Sequence, residues 1–156
     1  MARSESNRLT LVGMAQSGPS GPRLFFHPGM APARIRRAVQ GRQDYMLEAM
    51  GLGQGDQVLD CTLGLASDAI VAAWAVGPSG KVIGIESSPA VAEIIRAGLR
   101  DYDKADPDTT GAMRRIEVVC AEHLMHLMSC PDRSYDVVYF DPMFREPLRL
   151  SPGIAG

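Results

Sequence analysis

The chain has 156 residues, a length that fits one domain with a single substantial core. Its 46% hydrophobic and 22% charged residues are typical of a soluble globular protein, and no apolar run approaches the roughly 20 residues that cross a bilayer, so we expect no membrane association. The net charge of −2 gives nucleic-acid binding no general support, and such binding would depend on a local basic patch.

The cysteines and the first residues both favour a cytoplasmic protein. Cys61, Cys120 and Cys130 are an odd number at irregular spacings, so we expect no disulfide bonds and a reducing environment. The start, MARSESNRLTLVGMAQSG, lacks the apolar segment of a signal peptide.

The N-terminal third divides into two predicted segments. Residues 1–22 are expected to be poorly ordered, with a possible short strand at RLTLVG and a linker at AQSGPSGP. Residues 23–54 are predicted to form a helical extension interrupted at Gly41, with apolar residues at helical spacing: Ile35, Val39, Tyr45, Met46 and Ala49.

Two features of this extension are open to two interpretations each. The stretch ARIRRAVQGR concentrates arginines that either grip phosphate or form a solvated basic helix face, namely Arg34, Arg36, Arg37 and Arg42. His27, in FHPGMA, either borders a ligand or caps local backbone.

Residues 55–156 alternate apolar runs with helical segments, which predicts a doubly wound α/β fold with a mainly parallel sheet. The predicted strands are QVLDC, GKVIGIE, RRIEVVC and SYDVVYFD. The predicted helices are SDAIVAAWAV, PAVAEIIRAGLR with Ser88 as its N-cap, and AEHLMHLMS, whereas DYDKADPDTTGA is predicted to be a polar loop. Trp74 and the methionines are expected in the core.

Four parallel strands make a thin sheet whose last strand lies near an open edge. We therefore expect either that the domain is incomplete, truncated after its fourth strand, or that a partner covers this edge, for example in a homodimer.

A turn and two acids at strand ends predict a ligand site. Asp60 ends the first strand, Thr62 and Gly64 form a tight turn, and a helix begins near Ser67. Ligands of doubly wound sheets bind at the carboxyl ends of the strands, and Glu86, which ends the second strand, is placed to accept hydrogen bonds from ribose hydroxyls. The fingerprint G-x-G-x-x-G is absent, which disfavours a nicotinamide-dependent oxidoreductase.

The stretch VLDCTLGLASDA followed by VIGIE resembles motif I and the second-strand acid of class I S-adenosylmethionine-dependent methyltransferases. The resemblance implies a Rossmann-like methyltransferase fold with S-adenosylmethionine as cofactor. It assigns Asp60 to the methionine end of the cofactor and Glu86 to the ribose, and Ser87, next to Glu86, is also expected to bind the cofactor. It also makes Thr62, Leu63 and Gly64 the cofactor turn.

A third acid matches the family pattern less closely. In VVCAEH, Glu122 corresponds to the acid that contacts the adenine amino group, but Ala121 stands where a glycine is usual.

The stretch FDPMF resembles motif IV of the amino-methylating branch, with Met143 in place of a second proline. A carboxylate at Asp141 can accept hydrogens from an exocyclic base amine, while Pro142 stiffens the turn. Phe144 can stack on an unstacked base. The alternative is a plain strand end whose aromatic packs against another segment.

Together FHPGMA, LDCTLGLASDA and FDPMF resemble the S-adenosylmethionine-dependent methyltransferase family that includes the bacterial small-subunit rRNA guanine amino-methyltransferases. The resemblance covers about residues 23–150 and implies methylation of an exocyclic amine, with rRNA as the expected partner. Family members run on through three more strands. A non-catalytic nucleotide-binding or interaction domain remains the second alternative.

A metal site is the last candidate. His123, His126 and Cys130 share one face of a predicted helix, but no second cluster offers further ligands, so we expect a helix face and no metal.

Overall fold

The computed structural model describes residues 24–141. The expectations for residues 1–22 and the motif residues Pro142 and Phe144 lie outside this range, and the proposed domain boundaries stay predictions.

Six helices and four strands follow one another in the described chain. Two helices, α1 (Ala31–Val39) and α2 (Tyr45–Met50), precede the sheet. The α/β part contains β1 (Gln57–Asp60), α3 (Ser67–Val76), β2 (Lys81–Glu86), α4 (Pro89–Asp101), α5 (Pro107–Met113), β3 (Ile116–Cys120), α6 (His123–Ser129) and β4 (Val137–Tyr139).

The four strands form one parallel sheet in the order β3-β2-β1-β4, which confirms the doubly wound α/β prediction. The chain moves from β1 outward to β3 and then returns to the other side of β1, so the strand order reverses between β1 and β4. Asp60 lies opposite Gly84 on one side and Tyr139 on the other. The carboxyl ends of the three strands therefore meet at the reversal, where doubly wound folds bind ligands.

The larger core lies between the sheet and the alanine-rich helix α3. Ile70 and Val71 of α3 are fully buried, and Ile35 of α1, Ile95 of α4 and Met113 of α5 join the same cluster. A smaller core cluster consists of Leu59, Cys61 and Ile85, and partly buried side chains pack against it. The buried residues of α3 lie all round the helix, so it packs against both the N-terminal helices and the sheet.

The segment predicted as a polar loop contains helix α5, so that prediction was wrong. Asp106 caps the helix by accepting a hydrogen bond from the Thr109 N–H at 3.0 Å, and Pro107 occupies the first turn. Thr109 is fully buried, and its hydroxyl is satisfied because it donates a hydrogen bond to Asp106 at 2.9 Å. A satisfied threonine therefore fills a core position that the sequence pattern assigned to solvent.

The observed burial also corrects the predictions for several apolar residues. Val39 and Tyr45 are 60% and 80% exposed, so the helical spacing across α1 and α2 does not mark one buried face. Methionines were expected in the core, yet several are exposed, namely Met30, Met125 and Met128. Trp74 is partly buried against the core. By contrast, Ser88 caps α4 as predicted, accepting from the Val91 N–H.

Large apolar side chains of α6 and the β4 region are exposed: Leu124, Met125, Met128, Val138 and Phe140. Within residues 24–141, β4 pairs with β1 alone. A homodimer through this edge stays a prediction. None of the helices in the described range combines the length and the apolar character that a bilayer crossing requires.

Candidate functional site

A cavity of about 570 Å³ opens at the carboxyl ends of β1, β2 and β4. Six of the residues predicted for the site line it: Thr62, Leu63, Gly64, Glu86, Ser87 and Asp141. Its volume lies within the range of small-molecule pockets. The fold brings these six residues together, while the role of each residue in binding or catalysis stays a prediction.

The turn after β1 has a conformation suited to close approach. Gly64 has φ +50°, and a Cβ there would meet the Thr62 carbonyl oxygen at 3.8 Å, an ordinary contact; Ala66 has φ +65°, a left-handed conformation that is uncommon for alanine. The Leu63 side chain packs onto Gly84 of β2, where a Cβ would collide with it. Leu63 therefore anchors the turn to the sheet, and the backbone of the turn faces the cavity.

Asp60 lies beneath the turn rather than in the cavity wall. It is 2% exposed and accepts hydrogen bonds from the Thr62 N–H at 2.9 Å and the Thr62 hydroxyl at 3.4 Å. The pKa of Asp60 is raised to about 6, mainly by burial and also by the charges of Asp68 and Asp141, while the hydrogen bonds from Thr62 oppose the rise.

Thr62 connects the first turn to the end of the fourth strand. Its Oγ1 accepts a hydrogen bond from the Asp141 N–H at 2.7 Å, while the same hydroxyl donates to Asp60. The Cys61 N–H also donates to the Tyr139 carbonyl at 3.0 Å. Asp141 is thus held in register with the turn, although 79 residues separate it from Thr62.

Glu86 ends β2 and lines the opposite side of the cavity. One carboxylate oxygen accepts from the Ser88 N–H at 2.7 Å. A carboxylate has about four acceptor positions, so Glu86 keeps capacity for ligand hydroxyls.

Glu122 is not brought into the cavity wall. It is exposed at the start of α6, with its carboxylate 3.9 Å from the His123 Nδ1, whereas Ala121 and His123 line the cavity. His123 also makes an edge contact with Phe140 at 5.7 Å between ring centroids. The sequence offered His123 only as a candidate metal ligand, and Phe140, which stands in FDPMF, was given no role at the site.

The sequence also missed an ion-pair network at the cavity. Asp68 lines the cavity, and its Oδ1 lies 2.5 Å from the Arg34 Nη1. Its Oδ2 accepts from the Tyr139 hydroxyl at 3.0 Å. Arg34, which the sequence offered as a phosphate contact, is engaged in this network, while Arg36, Arg37 and Arg42 are exposed.

The charged side chains that line the cavity are acidic. Asp68, Glu86 and Asp141 line it, and across residues 24–141 no lysine or arginine does so. These carboxylates repel a pyrophosphate and suit a ligand that carries positive charge. The Cys61 thiol has its pKa raised to about 11 by burial, which argues against cysteine nucleophilic chemistry here.

The remaining candidate histidines have local partners. His27 Nδ1 accepts a hydrogen bond from the Gly29 N–H at 3.0 Å, as the backbone-cap interpretation predicted. His126 Nε2 lies 3.0 Å from the Tyr135 hydroxyl. No cluster suited to a metal ion occurs in the described part of the chain.

A family model described as "Putative SAM-dependent methyltransferase" matches residues 4–150. The chain is 49% identical over 135 residues to "Uncharacterized protein YpiP" of Bacillus subtilis, covering 86% of this chain and 52% of that protein. It is 37% identical over 145 residues to "Ribosomal RNA small subunit methyltransferase J" of Shewanella denitrificans, covering 90% of this chain and 55% of that protein. The chain thus spans about half the length of these relatives.

The fold is similar to that of a solved SAM-dependent methyltransferase from Neisseria gonorrhoeae, NGO1261. The TM-score is 0.61 at 24% identity, over 81% of this chain and 51% of the other. This likeness supports the fold, and the family match confirms the resemblance drawn from the sequence motifs, including S-adenosylmethionine as the family cofactor.

Proposed function

Because the chain belongs to this family of S-adenosylmethionine-dependent methyltransferases, we propose that it binds S-adenosylmethionine in the cavity at the strand ends. We further propose that it directs the methyl group to an exocyclic amine of an RNA base. The observation that carries this proposal is the wholly acidic set of charged residues around a cavity at the strand-order reversal. The sulfonium and ammonium groups of S-adenosylmethionine are positive, so its charge matches the cavity.

Each part of the cavity suits one part of the cofactor. The first turn of α3 has no side-chain cap, so its N–H groups are free for a carboxylate such as that of the methionine moiety. The carboxylates of Asp60 and Asp68 supply negative charge near the same turn, which suits the positively charged groups of the cofactor. Glu86 retains acceptor capacity for ribose hydroxyls, and the adjacent Ser87 lines the same wall.

Asp141 is the proposed catalytic residue. The lone pair of a base amine is conjugated into its ring, so the amine is a weak nucleophile until its nitrogen becomes pyramidal. A carboxylate that accepts an amine hydrogen favours that change, and the Thr62 hydroxyl fixes the Asp141 backbone beside the cofactor turn. Bound S-adenosylmethionine supplies an activated methyl group, so the work of the protein is positioning and electrostatic support.

RNA is the proposed substrate class because relatives of 30% identity or more carry rRNA methyltransferase names. By the family resemblance, we propose a guanine amino group of small-subunit rRNA as the target. Arg37 and Arg42 are exposed and available to phosphates, whereas the exposed Arg36 has its Nη1 3.8 Å from the carboxylate of Asp106.

Two measurements test the proposal. Calorimetric titration with S-adenosylhomocysteine should give saturable binding, whereas NAD should not bind, because its pyrophosphate meets three carboxylates. Transfer of labelled methyl groups from S-adenosylmethionine to small-subunit rRNA should then be detectable. Binding without transfer to RNA would favour a non-catalytic domain, and binding of NAD alone would overturn the cofactor assignment.

A further inference from the structure

Arg34 joins three separate parts of the chain. Its Nε and Nη2 lie 2.8 Å from the two carboxylate oxygens of Asp44, the N-cap of α2, and its Nη1 reaches Asp68 of α3. The three side chains are 20%, 11% and 29% exposed. The paired contact with Asp44 is the planar geometry that arginine makes and lysine does not.

The Asp68 carboxylate is held from two directions. Arg34 of α1 binds one oxygen and the Tyr139 hydroxyl of β4 donates to the other. Burial, and next the hydrogen bond to Asp68, raise the pKa of Tyr139 above its ordinary value, so the hydroxyl remains a donor at neutral pH. Asp68 lines the cavity between these two contacts.

The charge balance of the network keeps the cavity side negative. One guanidinium lies between two carboxylates, and the strong hydrogen bonds from Arg34 hold the pKa of Asp44 below its usual value. Arg34, Asp44 and Asp68 together therefore carry one net negative charge. Arg34 can orient Asp68 without cancelling its attraction for a cationic ligand.

We propose that Arg34 is a positioning residue that acts through Asp68, so that cofactor affinity depends on helix α1. The proposal rests on the proposed binding of S-adenosylmethionine. A carboxylate already fixed by two partners loses little conformational freedom when the ligand arrives, which improves affinity. The N-terminal helices thereby become part of the cofactor site, and Arg34 is withdrawn from the basic surface offered to RNA.

The test uses the full 156-residue chain and titration with S-adenosylhomocysteine. Arg34→Met should raise the Kd about 5- to 30-fold, which corresponds to about 1–2 kcal/mol of binding free energy. Arg34→Lys should recover part of the affinity. Lys104→Met, which also replaces a cation with methionine but at an exposed position that does not line the cavity, is the matched control and should bind like the parent.

A double-mutant cycle separates positioning from general support of the fold. In an Asp68→Asn background, Arg34→Met should have little further effect on the Kd, because Arg34 acts through Asp68. If Arg34→Met fails to fold, Tyr139→Phe takes its place in the cycle. This variant loses only one hydroxyl, and it should weaken binding in the parent but have little further effect in the Asp68→Asn background. Equal Kd values for parent and folded variant, or additive effects in the cycle, would overturn the positioning role alone. A parent chain that does not bind would overturn the proposed function and this role with it.

Discussion

The buried carboxyl of Asp60 should make the stability of the protein fall as pH rises through the weakly acidic range. The pKa of Asp60 is raised to about 6 in the folded chain, against about 3.9 for an unfolded aspartate. Between these values the folded state holds a proton that the unfolded state has released, so the free energy of unfolding decreases with increasing pH. The difference of about 2 pKa units corresponds to about 3 kcal/mol in the free energy of unfolding. This contribution is fully lost at pH values above the pKa of the folded state.

Asp60→Asn isolates this effect. The amide oxygen can still accept from the Thr62 N–H, but the side chain no longer ionises. Urea denaturation of parent and variant at a series of pH values from 4 to 7.5 should show a difference in unfolding free energy that grows by about 2.4 kcal/mol in favour of the variant, because part of the effect has already been lost at pH 4. Asp132→Asn, at an exposed position, is the control, and its difference from the parent should stay within about 0.5 kcal/mol.

Comparing each variant with the parent at the same pH cancels the contributions of other carboxylates. Asp44 and Asp106 have lowered pKa values and act in the opposite direction, but they are present in both proteins. A difference between Asp60→Asn and parent that stays constant over the whole pH range would refute the raised pKa.

Substitutions at three positions test the cavity. Glu86→Ala should weaken S-adenosylhomocysteine binding by about 1.5–3 kcal/mol, and unchanged affinity by calorimetry would remove Glu86 from the site. Asp141→Ala should leave that affinity nearly intact while methyl transfer falls about 10²–10⁴-fold, with Asp141→Asn milder; transfer at the parent rate would contradict its catalytic role. Thr62→Val deletes the acceptor for the Asp141 N–H and should slow methyl transfer about 2- to 10-fold, whereas Thr62→Ser should retain the parent rate. Equal rates in the valine and serine variants would show that this hydrogen bond does not position Asp141.

The strand ends were predictable because their signals are local. An apolar run closed by an acid marks both β1 and β2, and the parallel topology then brings Asp60 and Glu86 to one edge of the sheet. The same topology places Asp141 beside them once β4 pairs with β1. The alternation of strands and helices along the sequence is enough to predict this arrangement of the strand ends, without any knowledge of side-chain contacts.

The ion-pair network could not be predicted because its partners are distant in the chain. Arg34 and Asp68 are 34 residues apart, and Asp68 and Tyr139 are 71 apart. An arginine in a basic stretch has the same sequence signature whether it binds phosphate or a carboxylate. Helix α5 was missed for a different reason, since Thr109 is polar in sequence but internally hydrogen-bonded in the fold.

The position of β4 has a consequence for the order in which the protein is made. β4 reaches β1 across the chain, and the Asp136 N–H donates to the Gln57 carbonyl at 2.8 Å from 79 residues away. The ribosome therefore completes β1, β2 and β3, with the turn and Glu86, before Asp141 is synthesised. Long-range pairing is slow to form, so we expect β4 to join last. A nascent chain would then acquire the proposed cofactor pocket before it acquires Asp141, the proposed catalytic acid.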